Sequence, residues 1–490
     1  MLRDFVKLTA SYSIINVFQK LADYLSVIFF ISAFSATQYG IISANTLIIL
    51  GLTSVFSLSL EGAVSRFYFK YLKLGELERF LGCVVSYIML ISISMGVLFL
   101  CFSKPLWGLA FKDLPFSPYI VLAILTAMLD PINRVYIGFL QIKRSVKEYG
   151  IFYNIYVFVR LILLSLAAFL YQSTELYFVA YFVSIAVCVP FSLYRLSRTA
   201  KWNLDLKYFK EAFSYSIYIV PVTIFSILNG LIGRAFIMDR MDTASVGVYS
   251  AGFNIGQVIY LIAMVFNMAY VSFFIQKYEE VGDRVGQEVQ TMADVMFFLI
   301  FLSAFVISLV APLCTSLLPD DYVRAIPLIP LFAFGGVANG LYFLSTNYLS
   351  LKQSLVKYKM FGLLVGVILN LAISLTFIGK WGIKAVAVGN FASIYASACI
   401  LCLINCKKGQ FRYSLTVYWL TPVLLVLTYG IFYGITASSS WGIRMVLIFV
   451  SLFLFCKLFD RYFFQQKNFL SHNLIALYNK YVKTFYRKRQ

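Results

Sequence analysis

The sequence predicts an all-α polytopic membrane protein of about 14 transmembrane helices: two six-helix lobes related by a pseudo-twofold axis, followed by two C-terminal helices. Three observations carry this expectation. Hydrophobic residues make up 61% of the chain and charged ones only 13%. The apolar residues fall into a succession of runs each long enough to cross a bilayer. Short motifs recur about 207 residues apart, at the ends of corresponding runs.

Soluble domains carry roughly 25% charged residues, so a chain of 490 residues with 13% charge cannot cover a water-facing surface. Water-soluble globular, disordered and fibrous classes are excluded. A spanning helix takes about 20 mostly apolar residues. Fourteen of them leave enough chain for loops and a tail, but not for a separate soluble domain.

In order, the runs are 11–34, 40–63, 80–102, 118–140, 149–171, 176–195, 212–238, 246–272, 292–316, 327–350, 359–379, 383–404, 415–435 and 443–464. Gly, Pro or charge marks the breaks, as at Lys104-Pro105 and Pro319-Asp320-Asp321. Lipid offers no partner to an open backbone, and barrel strands are shorter and alternating, so the runs are read as helices. The first, entered from Met1-Leu-Arg-Asp-Phe-Val-Lys7 without a small-x-small cleavage site, is expected to be a retained span and not a removed signal peptide.

Lys and Arg set the orientation. With the N-terminus in the cytoplasm, the inner segments hold 28 of the 41 basic residues and the outer ones 7. Both termini are therefore expected inside. The tail, 465–490, repeats Leu470, Leu474, Leu477 and Tyr481 on one helical face and ends in Lys480, Lys483, Arg487, Lys488 and Arg489. It reads as a basic amphipathic helix on anionic lipid of the inner leaflet.

The net charge of +20 points to that leaflet and not to nucleic acid, since no basic face interleaved with exposed aromatics appears. Cys399, Cys402 and Cys406 read as packing residues of a helix, because the one His, His472, lies in the tail and structural zinc takes four ligands. No cofactor is expected: no metal site is evident, and no Walker loop is present to bring ATP.

The repeat rests on three matches. Tyr39-Gly-Ile-Ile-Ser-Ala44 pairs with Val246-Gly-Val-Tyr-Ser-Ala251, and Ser65, Phe67, Lys70 and Tyr71 with Ser272, Phe274, Lys277 and Tyr278, both at an offset of 207. Leu140, Lys143, Ser145 and Tyr149 meet Leu349, Lys352, Ser354 and Tyr358 two residues further on. Six spans return the chain to its starting side, so the halves are expected to be parallel repeats about an axis along the membrane normal. The division is an N-lobe at 1–211, a C-lobe at 212–404, two further spans within 405–464, and the tail.

This plan, with the first loop Phe34-Ser-Ala-Thr-Gln-Tyr-Gly-Ile-Ile-Ser-Ala44 and the span end Ala63-Val-Ser-Arg-Phe-Tyr68, resembles the Wzx-type polysaccharide flippases. These form the polysaccharide transporter family of the MOP superfamily, which also holds the MATE-type extruders. The resemblance covers the whole chain as a plan and rests on loose motifs. It implies a MATE-like fold, alternating access between the lobes, and a place in the bacterial inner membrane. It also implies a substrate of undecaprenyl diphosphate carrying an O-antigen or capsule sugar repeat, and work beside other polysaccharide-assembly membrane proteins.

Ionisable groups inside a bilayer are costly and mark function by default. Asn16, Lys20 and Asp23 share one face of the first span; Asp130, Asn133 and Arg134 lie together in the fourth; Arg160 is central in the fifth; Asn229 and Arg234 are in the seventh. They are read as a water-filled cavity with a cationic lining. Lys20, Arg134, Arg160 and Arg234 would hold the diphosphate, since guanidinium forks match phosphoryl oxygens. Asp23 and Asp130 would exchange protons in competition with the substrate, with a sodium gradient as the other driving force. Tyr153 and Tyr156 would face sugar rings, and Glu61 and Arg66 would form a cytoplasmic gate. The opposing reading makes Asp130–Arg134 and Lys20–Asp23 structural ion pairs. Rival functions are a cell-wall lipid precursor flippase, a multidrug extruder, and a polysaccharide polymerase or ligase. The last would be an enzyme with a large catalytic outer loop, and the longest outer loop here, 103–117, contains no His.

Overall fold

The computed structural model describes Ile15, Gln19, Ala22, Ser26, residues 29–105, Trp107, and residues 114–143, 145–281, 287–313, 318–351, 356–408, 415–437 and 441–463. The tail helix expected at 465–490 and most of the first span, with Asn16, Lys20 and Asp23, lie outside them.

Every regular element among the described residues is helical. After a first helix seen at Ile15, Gln19, Ala22, Ser26 and 29–33, the order is α1 (Ala36–Ser57), α2 (Glu61–Lys73), α3 (Leu77–Phe102), α4 (Val121–Ile142), α5 (Val146–Leu166), α6 (Thr174–Ser197) and α7 (Leu206–Arg240). Then come α8 (Thr243–Gly256), α9 (Val258–Val281), α10 (Gln287–Val310), α11 (Ile329–Leu351), α12 (Val356–Trp381), α13 (Ile383–Lys408), α14 (Leu415–Ala437) and α15 (Trp441–Phe463). Among the described residues, twelve helical segments are long and apolar enough to cross a bilayer, and Trp441–Phe455 is a shorter apolar helix. The molecule is a multi-pass membrane protein.

Side-chain caps start several helices. Ser35 and Gln38 form a reciprocal capping box ahead of α1, Ser173 accepts from Leu176 N at 3.3 Å ahead of α6, and Asp242 accepts from Ser245 N at 2.5 Å ahead of α8. Each satisfies backbone donors that a helix N-terminus leaves unpaired.

The expected second span, 40–63, is corrected. It ends at Ser57, turns sharply, and resumes as the amphipathic helix α2. Leu58 and Ser59 take positive φ angles of 46° and 50°. Neighbouring helices re-cover the carbonyls freed by the turn: Ser92 of α3 donates to Phe56 O at 3.2 Å and Ser216 of α7 donates to Ser59 O at 3.3 Å. Such capping from adjacent helices is what allows a broken helix inside lipid.

Within the first half, α4 packs on α1, α3 and α6; later in the chain α11 packs on α9, α10 and α13, and α12 on α13. Several contacts run between earlier and later parts of the chain. α1 runs against α8, and α7 lies against both α1 and α12. The α1–α8 contact is backbone to backbone. A Cβ on Gly40 would fall 2.2 Å from Thr243 O, and one on Gly247 would fall 1.8 Å from Ala36 O. These glycines are equivalent positions of the repeat, so the motif marks where the halves touch.

Candidate functional site

Between α1, α4, α5, α6, α7 and α8 lies a cavity of about 720 Å³. Three of the four cations expected to meet an anion line it: Arg134 from α4, Arg160 from α5 and Arg234 from α7. Asp130, Glu61, Tyr153 and Tyr156 line it as well, together with Ser26, Phe30, Tyr39, Ser43, Gln141, Tyr177, Tyr181, Phe253 and Asn254.

Each arginine is held differently. Arg134 Nε sits 2.7 Å from Asp130 Oδ2, one helical turn away, and its side chain keeps 36% exposure toward the cavity. Asp130 is almost fully buried, and its second oxygen accepts from the Tyr156 hydroxyl at 2.7 Å. The intrahelical ion pair therefore exists, yet its cation remains open to the cavity. Arg160 lies over the rings of Tyr156 and Tyr181, with centroid distances of 5.6 and 6.0 Å. Ring faces carry negative charge density, so they attract a guanidinium.

Arg234 is buried. Its Nε donates to Ser43 Oγ at 2.9 Å and to Ser250 Oγ at 3.2 Å, and its Nη1 to Gly230 O at 3.0 Å. The rings of Tyr249 and Phe253 stand 5.4 and 5.1 Å from its centre. Among the described residues it pairs with no carboxylate. Ser43 and Ser250 occupy the same place in the repeated Gly-x-x-Ser-Ala motif, so both halves supply a hydroxyl to one guanidinium. The sequence marked these serines as a repeat and gave no sign that an arginine joins them.

Glu61 lines the cavity at the start of α2, and one of its carboxylate oxygens, Oε2, is buried without a hydrogen-bond partner among the described residues. Arg66, expected beside it as part of a gate, is exposed on α2 and is not among the lining residues. Asn133 and Asn229, expected on the cavity wall, instead fasten helices together. Asn133 donates to Ile185 O at 3.2 Å and accepts from Ser192 Oγ at 2.8 Å, tying α4 to α6. Asn229 accepts from Asn370 Nδ2 through its backbone oxygen at 2.9 Å and through Oδ1 at 2.5 Å, tying α7 to α12. Interhelical amide bonds of this kind are a standard use of Asn in lipid.

Among the described residues the cavity thus gathers three guanidinium groups and two carboxylates, of which Asp130 is paired with Arg134. Low-dielectric walls strengthen the field of the excess cations. Its chemistry suits an anion with several acceptor oxygens, next to a wall of tyrosine rings. Among the described residues no group of three or more His, Cys, Asp or Glu is placed to hold a metal.

The helices and this cavity define a polytopic α-helical membrane protein built around a cationic chamber. Among solved structures the chain is similar to the lipid II flippase MurJ in an inward closed conformation, with a TM-score of 0.67 and 14% identity over 91% of this chain and 99% of that one. It is also similar to a multidrug resistance MATE family transporter of the MOP superfamily in an inward-facing conformation: TM-score 0.61 and 13% identity over 84% and 95% of the two chains. For a MATE in complex with MaL6 the values are 0.57 and 14%, over 86% and 96%. At these identities the likeness is one of fold, and the MATE-like fold expected from the sequence is observed. No family model and no curated protein matches the chain.

Proposed function

We propose that the chain is a transporter that flips undecaprenyl-diphosphate-linked oligosaccharide from the cytoplasmic to the outer leaflet of the bacterial inner membrane. The supporting observation is the convergence of Arg134, Arg160 and Arg234, from three helices, on one cavity. In this reading the diphosphate enters between an N-lobe, 1–211, and a C-lobe, 212–404, and is held by forked hydrogen bonds from the arginines. Lys20 of the first span belongs to the same set. Tyr153, Tyr156, Tyr177 and Tyr181 offer ring faces to the sugars. No covalent bond of the substrate changes, so the protein is not an enzyme in this reading.

Net transfer against a gradient takes an energy source. Proton or sodium exchange at Asp23 and Asp130 remains the proposed coupling. Glu61 joins it, because its buried Oε2 is open to a proton whereas both oxygens of Asp130 already accept hydrogen bonds. Alternating access follows if binding of the anion and of the cation favour opposite openings of the same cavity.

A second reading has a specific support. The fold is shared with a lipid II flippase over nearly all of that chain, and a cell-wall lipid precursor with a diphosphate would suit the same arginines. A cation extruder is disfavoured by the excess of guanidinium groups on the wall. Depletion in cells separates the two lipid readings. Lipid-linked polysaccharide repeat trapped on the inner face supports the first, and trapped cell-wall precursor with lysis supports the second. Unchanged distribution of both lipids contradicts flipping altogether.

A further inference from the structure

On the opposite side of α5 from the cavity, a groove of about 350 Å³ runs between α5 and α6 over a floor from α4. On α5 it is lined by Glu148, Ile151, Phe152, Ile155 and Val159, and on α6 by Val187, Cys188, Phe191 and Arg195. These positions lie on one face of each helix, successive turns being three or four residues apart. Because the helices are antiparallel neighbours, the charged ends, Glu148 and Arg195, meet at one mouth, and the apolar ends, Val159 and Val187, meet at the other. From Glu148 to Val159 the groove is about 16 Å long at 1.5 Å per residue. One leaflet of hydrocarbon is about 15 Å deep. Ile151, Ile155, Val187 and Phe191 are each about half exposed on spanning helices, so the groove faces lipid and not the cavity.

The charged mouth is loosely held. Arg195 Nε reaches the Tyr136 hydroxyl at 3.4 Å and Nη2 reaches Glu148 Oε1 at 3.4 Å, both at the long limit of a hydrogen bond. Its side chain is 38% exposed. Exposed Lys147 follows one residue before Glu148, and exposed Arg198 three residues after Arg195, stacked on Tyr194 at 4.6 Å. Among the described residues, Glu148 and Arg195 line the mouth, and Lys147 and Arg198 flank them on the same two helices. Beneath them the floor is firm: Phe152 stacks on Phe191 with centroids 5.5 Å apart, and Tyr136 meets Phe152 edge-on at 4.8 Å.

The geometry points to a binding site for an anionic phospholipid of the basic-side leaflet, separate from the transport cavity. One acyl chain lies along Ile151, Ile155 and Val187. The headgroup phosphate accepts from Arg195, whose guanidinium turns toward it from the long 3.4 Å contact with Glu148. The excess of Lys147 and Arg198 selects a headgroup with net negative charge. A site at this place would tie the position of α5, and with it Arg160 on its other face, to the lipid composition.

The test uses the full chain in vesicles of phosphatidylcholine that contain phosphatidylglycerol with a photoreactive diazirine in one acyl chain. Cross-links are mapped by mass spectrometry. The expected result is labelling concentrated on Ile151, Ile155, Val187 and Phe191, above the equally exposed Leu90 and Val97 of α3. Arg195→Gln should lower the groove labelling about tenfold, as loss of one charge-assisted phosphate contact implies. Val187→Trp, which fills the groove and leaves the charges in place, should abolish it; because it faces lipid, it keeps the test open if the arginine variant misfolds. Equal labelling of α3, equal labelling by a zwitterionic ethanolamine or choline probe, or labelling only by a polyprenyl diphosphate probe would each overturn the proposal.

Discussion

Arg234 of α7 donates to Ser43 of α1 at 2.9 Å, across 191 residues of sequence. The same nitrogen reaches Ser250 of α8, the repeat equivalent of Ser43, at 3.2 Å. A buried guanidinium with no carboxylate partner among the described residues is thus satisfied by hydroxyls from both halves and by two ring faces. Burial of a cation is costly in lipid, and these hydroxyls and ring faces offset part of that cost.

The single Nε hydrogen of Arg234 is shared between the two hydroxyls, so either single replacement leaves it one partner and the double replacement leaves it none. Ser250→Ala, at a fully buried site, is expected to destabilise the protein by about 1 kcal/mol, and the double variant by about 1–3 kcal/mol. Ser43→Ala, nearer the cavity and its water, should cost about 1 kcal/mol. Thermal unfolding of the purified protein in detergent measures both. If the double variant matches the wild type, the hydroxyls are not holding Arg234.

The α1–α8 contact admits no side chain at the repeat glycines. Gly247→Ala would bring a methyl group to 1.8 Å from Ala36 O, a backbone atom that cannot step aside. Forced separation of the helices is expected to cost about 3 kcal/mol or more. Gly434→Ala, where no atom lies within 4 Å, should be silent. The yield of monodisperse protein after solubilisation distinguishes them, and equal yields would contradict the packing described.

Asp130 and Glu61 face the same cavity, with both oxygens of Asp130 accepting hydrogen bonds and Oε2 of Glu61 buried without a partner among the described residues. Asp130→Asn breaks the ion pair with Arg134 and is expected to lower stability by about 1–3 kcal/mol, reduced from the fully buried case because Arg134 retains access to the cavity. Freed of its acid, Arg134 should bind a soluble diphosphate several-fold more tightly. Glu61→Gln should leave the fold intact and remove the dependence of transport on a proton gradient. A Glu61→Gln variant that remains fully gradient-driven would exclude that residue from the coupling.

Much of the fold was legible in the sequence because lipid enforces it. Where backbone groups find no solvent, a run of apolar residues is a helix: thirteen of the fourteen expected spans have a helical counterpart along most of their length among the described residues, and the described residues of 11–33 are helical too. The turn at Leu58–Ser59 was not legible. No glycine or proline announces it, and the groups that make it tolerable, Ser92 and Ser216, are distant in sequence. Asn133 and Asn229 show the same limit at the site. An amide in a span binds either a ligand or a neighbouring helix, and only the position of Ser192 and Asn370 decides which. The charges were more informative, because an arginine in lipid has few places to go. Three of them meet at one cavity.

In the proposed transport cycle, Arg134 and Arg160 meet a diphosphate inside that cavity. The most direct measurement is transfer of a fluorescent polyprenyl-diphosphate sugar across vesicles containing the wild type or the double variant Arg134→Ala, Arg160→Ala, matched for insertion. The expected result is at least a hundredfold loss of transfer, about 3 kcal/mol for two charge-assisted contacts, with the amount of inserted protein unchanged. Transfer at the wild-type rate by the correctly inserted double variant would contradict the account.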